Sequence, residues 1–299
     1  MFIIKYGTRD LHIDVTHIAY DTMKTQNMII IPAGDSNRAK YFTDPVVGIL
    51  KTIFIIDGNC VTEYDHTKTI CIDTINNKIV VTSDLSSSDK DKLQNIHRQL
   101  KIKHGIFTDE YPEQLMAVKY ITGSEKVLEI GGNIGRNSMV IAYLLQQQNN
   151  LVTLECDPEI AAQLIENRNI NQLTFQVEDS ALSKRNLIQK GWTTFVSDVI
   201  PYGYKKVKTI TLSELNNKYQ IQFDTLVLDC EGAFYYILQD FPEILNKIKL
   251  IIMENDYFDI THKNYVDMIL KQTGFTIDYV EAGGWGPCYS NFYEVWKKN

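Results

Sequence analysis

The chain has 299 residues, of which 44% are hydrophobic and 22% charged, and its formal net charge is -7. Single domains usually run to ~100–200 residues, so this composition predicts two globular domains, each with a buried core. The acidic balance excludes the basic face that nucleic-acid binding requires, and it disfavours an anionic membrane surface as a partner.

Residues 1–95 are predicted to form an all-β, sandwich-like accessory domain. Short runs rich in Ile, Val, Thr and Tyr, such as MFIIKYG, LKTIFIIDG and NKIVVTS, alternate with turn residues, and no long helical pattern intervenes. The segment GDSNRAKYFTDPVVGILKTIFI resembles a recurrent β module with a GDPxxGxxK-type core, in which Thr43 replaces a Gly. The polar run LSSSDKDKLQ then begins a linker or a short helix.

From about residue 105 the pattern changes to alternating strands and helices, after an amphipathic helix in TDEYPEQLMAVKYI. The predicted strands are KVLEIG, LVTLECD, LTFQVED, FDTLVLDCEG and LIIMEND. Between the third and fourth strands we expect a polar loop region over 181–208 and a short helix opened by Thr211 or Ser213. This alternation predicts parallel βαβ units with helices on both faces of one sheet.

The end of the chain breaks this pattern, because FTIDYVEA and SNFYEVWKK follow each other without a helix between them. The last two strands are therefore predicted to form an antiparallel hairpin. Residues 96–299 are expected to form a Rossmann-like α/β domain, a doubly wound sheet that ends in this hairpin. That is the usual plan of class I methyltransferases, an analogy at the level of fold alone.

Ligands of open parallel sheets bind at the carboxyl ends of the strands, where three predicted strands place candidate residues. These are Glu129, Gly131, Gly132, Asn133 and Gly135 after the first strand, Glu155 after the second, and Glu178, Asp179 and Ser180 after the third. Glu129 could accept from a methionine-like ammonium group or hold the glycine loop. Glu155 could bind both ribose hydroxyls, and the third group an adenine amino group.

The glycine loop does not match the dinucleotide fingerprint GxGxxG, because counting from Gly131 the third position is Asn133 and the sixth is Arg136. Asn133 narrows the space that a pyrophosphate needs, whereas an adenosyl ligand without phosphates does not need that space. The loop and Glu155 therefore favour such a ligand. A glycine turn capped by an acid, with no ligand, is the structural alternative.

Carboxyl groups are concentrated after the fourth and fifth strands, in Asp229-Cys230-Glu231-Gly232 and Glu254-Asn255-Asp256. Clustered carboxylates raise one another's pKa, so Asp229 or Glu231 is a candidate general base. His262, further along the chain, is another. No residue is assigned as a metal ligand, but a divalent cation such as Mg²⁺ and simple helix capping both stay open as interpretations of the acidic cluster.

The pieces VLEIGGNIG, LVTLECD, VKTITLSEL, LVLDCEGAFYYIL and IIMEN, in this order, resemble the FkbM family of methyltransferases over roughly residues 125–296. The family commonly shows a K-x-D-x-E-G-A-E run. Here Asp229, Glu231, Gly232 and Ala233 match it, while Val227 replaces the Lys and Phe234 the final Glu. The resemblance implies S-adenosylmethionine as cofactor and O-methylation of a small-molecule hydroxyl, with a sugar, glycan or nucleotide-sugar as the best guess for the acceptor.

Two other functions stay open. The replacement of the Lys and the Glu is compatible with a glycan-binding protein whose methyltransferase-like domain is inactive, and an NAD-dependent oxidoreductase is a second alternative. The expected partner is a small-molecule or glycan acceptor, with no nucleic acid and no membrane. A homo-oligomer is not excluded.

Five cysteines are scattered without a CxxC pair, which predicts neither a zinc site nor a disulfide framework. The first apolar run, in MFIIKYGTRD, is too short for a signal peptide, and no stretch approaches the ~18–20 apolar residues of a membrane span. Reduced thiols suit a cytoplasmic protein, and we expect that location.

Overall fold

The computed structural model describes residues 2–25, 27–75, 77–83 and 87–298. The chain divides into two compact units. The first contains residues 1–84, 277–285 and 289–294, and the second contains residues 85–276, 286–288 and 295–299. Part of the predicted linker, residues 85 and 86, lies outside the described residues, and the domain boundary at residues 95 and 96 stays a prediction.

The first unit contains two four-stranded antiparallel sheets, in the orders β2-β1-β5-β6 and β3-β4-β7-β8. The strands are β1 (Ile3–Gly7), β2 (His12–Asp14), β3 (Lys24–Thr25), β4 (Met28–Ile31), β5 (Thr52–Asp57), β6 (Cys60–Tyr64), β7 (Lys68–Asp73) and β8 (Lys78–Ser83). Isoleucines from both sheets share one buried core, among them Ile4, Ile29, Ile55 and Ile72. Burial of this alternating apolar face stabilises the unit.

The prediction of an all-β unit is wrong, because two short helices, α1 (Thr16–Thr22) and α2 (Asp35–Phe42), lie between the strands. Ala19 of α1 and Phe42 of α2 enter the same core as the isoleucines. In α2 the buried Arg38 donates to the carbonyl oxygens of Pro32 and Lys68 at 2.9 and 2.6 Å. These helices are too short to show a clear apolar period, so tertiary packing decides their conformation.

A seven-stranded sheet, in the order β11-β10-β9-β17-β18-β20-β19, has its five parallel strands in the second unit. Its strands are β9 (Val127–Ile130), β10 (Leu151–Leu154), β11 (Gln176–Glu178), β17 (Thr225–Leu228), β18 (Leu250–Glu254), β19 (Phe275–Glu281) and β20 (Tyr293–Lys298). The first five are parallel and, numbered along the chain, run 3-2-1-4-5. This order confirms the predicted Rossmann-like, doubly wound sheet, and the two last strands are neighbours as expected.

Within the described residues, seven further α-helices belong to the second unit. They are α3 (Ser87–Gln99), α4 (Tyr111–Tyr120), α5 (Arg136–Leu144), α6 (Pro158–Ile170), α7 (Leu212–Tyr219), α8 (Phe234–Asp240) and α9 (Ile260–Gln272). Asp157 caps α6 through a hydrogen bond to the N–H of Glu159, with Pro158 in the first turn. Among the described residues, no helix has both the length and the apolarity needed to cross a bilayer.

The region 181–208, predicted as a polar loop, contains four short strands. It contributes β12 (Ala181–Leu182), β13 (Leu187–Lys190), β14 (Thr193–Val196) and β15 (Lys205–Val207), and β16 (Thr209–Ile210) follows. β14, β13 and β15 form a small antiparallel sheet, while β12 pairs with β16. Gly191, at φ +60°, turns the chain between β13 and β14, a conformation that glycine adopts at little cost.

Candidate functional site

The loop after β9 makes a tight turn that only glycine permits at its first position. Gly131 has φ +90°, and a Cβ there would collide with the backbone carbonyl oxygen of Asp229. Asn133 also has positive φ, +46°, a conformation that asparagine tolerates better than most residues. The loop therefore lies directly against the end of β17, which brings the first and fourth strand ends together.

All five backbone N–H groups from Gly131 to Gly135 are satisfied inside the protein. Gly131 and Gly132 donate to the carbonyl oxygen of Leu154, at 3.0 and 2.9 Å, and Asn133 donates to the Glu155 carboxylate at 2.9 Å. Ile134 donates to the side-chain oxygen of Asn133 and Gly135 to the carbonyl oxygen of Gly132, both at 2.8 Å. Dinucleotide-binding loops instead direct such groups at a pyrophosphate. This loop has no N–H group left for that purpose.

Glu155 lies just beyond β10 with its carboxylate held by the backbone. One oxygen accepts from the N–H of Asn133 at 2.9 Å and the other from the N–H of Asp157 at 2.8 Å. Burial raises the pKa of this carboxyl group. Each oxygen keeps a lone pair for a further donor, and Glu155 lines the main cavity, so the carboxylate is oriented to receive hydroxyl groups.

Glu129 does not reach the cavity, although it was predicted to contact a ligand. Its side chain is 2% exposed, and one carboxylate oxygen accepts from the hydroxyls of Ser138 and Thr153, at 2.5 and 2.7 Å. Burial raises the pKa of Glu129 to about 7. The residue links β9 to α5 and β10 within the core.

Of the acids and hydroxyl after β11, only Ser180 lines the cavity. Its hydroxyl donates to the buried Glu178 at 3.0 Å, and Glu178 also accepts from Lys218 and Tyr219 of α7 at 2.6 and 2.9 Å. Asp179 is exposed and pairs with Lys208. Of the three residues predicted to contact an adenine, Ser180 is therefore the one that lines the cavity, together with the following residues Ala181 and Leu182.

The main cavity has a volume of about 480 Å³, within the range of small-molecule sites. Its lining residues fall into two groups. Residues of the first group follow strands of the large sheet and include Gly131, Asn133, Glu155, Ser180 and Asp229. Residues of the second group lie in or next to β13, β14 and α8 and include Arg185, Gln189, Trp192, Phe195 and Tyr236. The structure thus brings together the glycine loop, Glu155 and Asp229-Cys230-Glu231 in one space, as the sequence predicted.

Three carboxylates from α4, β17 and β18 converge beside this cavity. Glu113, Asp229 and Glu254 each place one oxygen within 4.8 Å of the others. Glu254 is in hydrogen-bonding contact with Glu113, and the Oε2 atom of Glu113 is buried with no hydrogen-bond partner. Glu113 was missed by sequence reasoning because it lies on a helix before the first sheet strand, where no strand end marked it.

Burial and neighbouring carboxylates raise the pKa values of Asp229 and Glu254. The pKa of Asp229 is raised, first by burial and then by the charges of Glu110, Glu113, Asp256 and Glu231. The pKa of Glu254 is raised by burial and by its hydrogen bond to Glu113. A carboxylate whose pKa approaches neutrality is better matched to accept a hydroxyl proton than one of ordinary acidity.

Glu231 and Asp256 shape the turn that follows β17. Glu231 has φ +52°, rare for a residue with a side chain, and Asp256 accepts from the next N–H, that of Gly232, at 2.7 Å. Burial raises the pKa of Asp256 to about 7, and burial also raises that of Glu231. Glu231 lines the cavity, so it stays a second candidate base beside Asp229.

His262 is not brought to the cavity. It lies in the first turn of α9, where its ring stacks on Tyr235 with the centroids 3.8 Å apart. Its Nε2 is 4.0 Å from Asp259. We therefore assign it no catalytic role.

A second group that the sequence did not reveal holds the glycine loop from the side of α4. Glu110, the residue before α4, accepts from the Asn133 side chain at 2.8 Å and from Arg136 at 2.7 Å. Arg136 also bonds the carbonyl oxygen of Ile106 at 3.0 Å and Asp109 at 3.1 Å. The segment before α4 is thereby connected to the glycine loop.

No family model and no curated protein matches the sequence. Solved structures do show similarity. An O-methyltransferase from Bacillus cereus in complex with SAH is 15% identical over 71% of this chain and 89% of that chain, with a TM-score of 0.39. A ribosomal protein L11 methylase from Lactobacillus delbrueckii subsp. bulgaricus is 11% identical over 66% and 82%, with a TM-score of 0.42. Fibrillarin from Aeropyrum pernix, with natively bound S-adenosyl-L-methionine, is 8% identical over 77% and 93%, with a TM-score of 0.39.

The likeness of these three structures to this chain is too low to assign its function. The resemblance to the FkbM family likewise stays a prediction. The functional conclusion therefore rests on the geometry of the cavity.

Proposed function

We propose that the chain is an S-adenosylmethionine-dependent O-methyltransferase that acts on a hydroxyl group of a small molecule. The observation that carries this proposal is the loop from Gly131 to Gly135, whose N–H groups are all satisfied internally, beside the oriented carboxylate of Glu155. Such a site suits an adenosyl ligand without phosphates. The resemblance to the FkbM family supports oxygen as the methylated atom and a sugar, glycan or nucleotide-sugar as the acceptor.

The proposed cofactor would lie along the strand ends, with its ribose hydroxyls donating to Glu155. The adenine would lie toward Ser180, Ala181 and Leu182, which also line the cavity. Its methyl group would then face Asp229 and Glu231. Glu129 takes no part in binding, because its carboxylate is enclosed in the core.

In the proposed reaction the acceptor oxygen attacks the methyl carbon, the bond from that carbon to sulfur breaks, and S-adenosylhomocysteine leaves. The hydroxyl proton passes to the carboxylate of Asp229 or Glu231, so charge and atoms balance. Because the sulfonium is already electrophilic, alignment of the acceptor supplies much of the acceleration. A positioned base contributes a further ~10²–10⁴-fold.

The carboxylates of Glu113, Asp229 and Glu254 also fit a hard divalent cation such as Mg²⁺. All three offer oxygen ligands, and one Glu113 oxygen is buried without a partner. A cation held there would lower the pKa of an acceptor hydroxyl. The proposal stands with or without it.

Calorimetry with S-adenosylmethionine, S-adenosylhomocysteine and NAD tests the cofactor assignment. We expect the first two to bind and NAD not to bind. Glu155→Ala should weaken the donor by ~1–3 kcal/mol, the range for lost charged hydrogen bonds, whereas the exposed Glu159→Ala should not. Tight NAD binding without a response to either adenosyl compound would refute the proposal.

The alternative of an inactive, glycan-binding protein has one structural point in its favour. Val227 and Phe234, which replace the family's Lys and Glu, are buried at 3% and 1% exposure and offer no polar group. Binding of S-adenosylmethionine without methyl transfer to any acceptor would favour this alternative.

A further inference from the structure

The lining residues in or next to β13, β14 and α8 have a composition that discriminates between acceptors. We propose that they form a subsite for an uncharged sugar ring and that it selects against phosphorylated sugars, including nucleotide-sugars. This inference rests on the proposed function for its place in the reaction. Three observations carry it: the charge of the walls, one unsatisfied amide oxygen and the exposed aromatic rings.

The walls offer no available positive charge. Among the described residues that line the cavity, Arg185 is the one with a cationic side chain, and it is already paired. Its Nε and Nη2 bond the two carboxylate oxygens of Asp240 at 2.9 and 2.8 Å, and Nη2 also bonds Gln239 at 3.1 Å. Asp240, Asp229, Glu231 and Glu155 are all acidic lining residues. A phosphate, which proteins bind with free Arg, Lys or N–H groups, would meet here an arginine whose charge is already offset by Asp240.

Gln189 supplies an unmet acceptor. It lies on β13 opposite Thr194 of β14, it is 4% exposed, and its side-chain oxygen is buried with no hydrogen-bond partner. Buried polar atoms are nearly always hydrogen-bonded, so an unsatisfied one in a cavity wall indicates a ligand donor. A sugar hydroxyl can donate such a bond.

Aromatic rings provide the rest of the surface. Trp192 is 62% exposed and Phe195 44% exposed, although both line the cavity. The face of an aromatic ring carries partial negative charge and attracts the polarised C–H groups on the apolar face of a sugar. Gln189, Thr194 and these rings together match a ligand that is flat and apolar on one side and rich in hydroxyls at its edge.

The test first measures binding of S-adenosylhomocysteine, which decides the proposed function by itself. Calorimetry then follows methyl glycosides of common hexoses and 6-deoxyhexoses, the matched sugar 1-phosphates and the matched uridine diphosphate sugars, with and without S-adenosylhomocysteine. We expect at least one methyl glycoside to bind about tenfold more tightly than its phosphorylated counterparts. Gln189→Leu should weaken that binding about tenfold, as one lost hydrogen bond predicts, and Trp192→Ala should weaken it also.

Gln94→Leu, an exposed substitution on α3, is the matched control and should leave glycoside binding unchanged. Circular dichroism melts of each variant establish that it folds. Tighter binding of a sugar phosphate or uridine diphosphate sugar, or a folded Gln189→Leu protein with wild-type glycoside affinity, would overturn the subsite. So would the failure of every glycoside to bind a protein that binds S-adenosylhomocysteine. Glycoside binding that depends on Gln189 without any binding of S-adenosylhomocysteine would keep the subsite and refute the proposed function.

Discussion

Glu129 and Glu155 occupy the ends of neighbouring strands but serve different purposes. Glu129 is within β9, paired in register with Thr153, and its carboxylate accepts from that residue's hydroxyl. Glu155 comes one residue after β10 ends, where the chain leaves the sheet and the side chain enters the cavity. In the register of the sheet Glu155 lies two positions further toward the carboxyl end than Glu129, and this difference decides which carboxylate reaches the cavity.

The buried Glu129 predicts a pH-dependent difference in stability. Its pKa is raised to about 7 in the folded chain, so the folded state holds a proton that the unfolded chain has lost above its ordinary pKa of 4.5. The contribution of this proton to the free energy of unfolding is fully present below pH 4.5 and is lost as the pH rises to about 7. Glu129→Gln keeps an oxygen that accepts from Ser138 and Thr153 but has no proton to lose.

Relative to wild type, Glu129→Gln should therefore gain stability between those pH values, by on the order of 3 kcal/mol, and the gain should be constant at higher pH. Urea unfolding at pH 5 and pH 8 measures the difference. The exposed Glu243→Gln should show no such trend. A difference that stays the same at both pH values would contradict the assignment of a neutral buried carboxyl group.

Asp229 is tested by the substitution that keeps its shape. Asp229→Asn should lower turnover by ~10²-fold or more if the carboxylate accepts the acceptor proton or binds a cation, while affinity for S-adenosylhomocysteine changes little. Loss of wild-type activity in EDTA, restored by Mg²⁺, would indicate a metal, and indifference to EDTA a metal-free base. Wild-type turnover by Asp229→Asn on a verified acceptor would remove Asp229 from the mechanism and make Glu231 the next candidate.

At the scale of elements, the helix α7 shows how a local signal positions a site residue. Thr211 accepts from the N–H of Glu214, and Glu214 accepts from the N–H of Thr211, so the predicted choice between Thr211 and Ser213 is settled for Thr211. At its other end α7 carries Lys218 and Tyr219, which hold Glu178 beneath Ser180. The cap therefore stabilises a wall of the cavity indirectly.

Thr211→Ala should lower the free energy of unfolding by ~1 kcal/mol, the usual cost of a lost N-cap. Ser213→Ala, exposed in the same helical turn, is the matched control and should change stability by less than about 0.5 kcal/mol. Thermal and urea unfolding measure both. An equal loss in the two variants would show that the cap is not the source of the effect.

The small sheet of β13, β14 and β15 is the element that sequence reasoning missed. Its strands are short and carry Lys, Gln and Thr among the apolar residues, so composition favoured a polar loop. The run LIQKGWTTFV nevertheless contains a usable signal, two β-rich stretches on either side of Gly191. Reading that signal would have predicted a hairpin and drawn attention to Gln189 and Trp192.

At the scale of the whole molecule, the chain path crosses between units near its end. Residues 277–285 and 289–294 belong to the first unit, where Val280 packs on Ile30 and Cys71. A fragment that begins after the first eight strands lacks those two partners for Val280. We therefore expect a C-terminal fragment to fold with a lower free energy of unfolding than the same residues have in the whole chain.

Limited proteolysis should cut within LSSSDKDK and leave a C-terminal fragment that binds S-adenosylhomocysteine with a lowered Tm. A fragment of residues 85–299 should be more stable than one of 105–299, because the shorter one loses α3. In α3, His97 bonds Gln114 at 2.7 Å and stacks on Phe107 with the centroids 4.6 Å apart. Equal stability of the two fragments would show that α3 contributes nothing, and failure of both to bind would show that the halves depend on each other.

By itself, the sequence determined the alternation of strands and helices after residue 105, the doubly wound sheet and the meeting of Gly131, Glu155 and Asp229 at one edge. These follow from local periodicity and from the rule that parallel strands end on the same side. The three-dimensional packing was needed to show which acids line the cavity, that Glu113 joins Asp229 and Glu254, and that Gln189 and Trp192 belong to the same lining. The reason is physical: strand periodicity is local, whereas the burial and pairing of a side chain depend on residues distant in the chain.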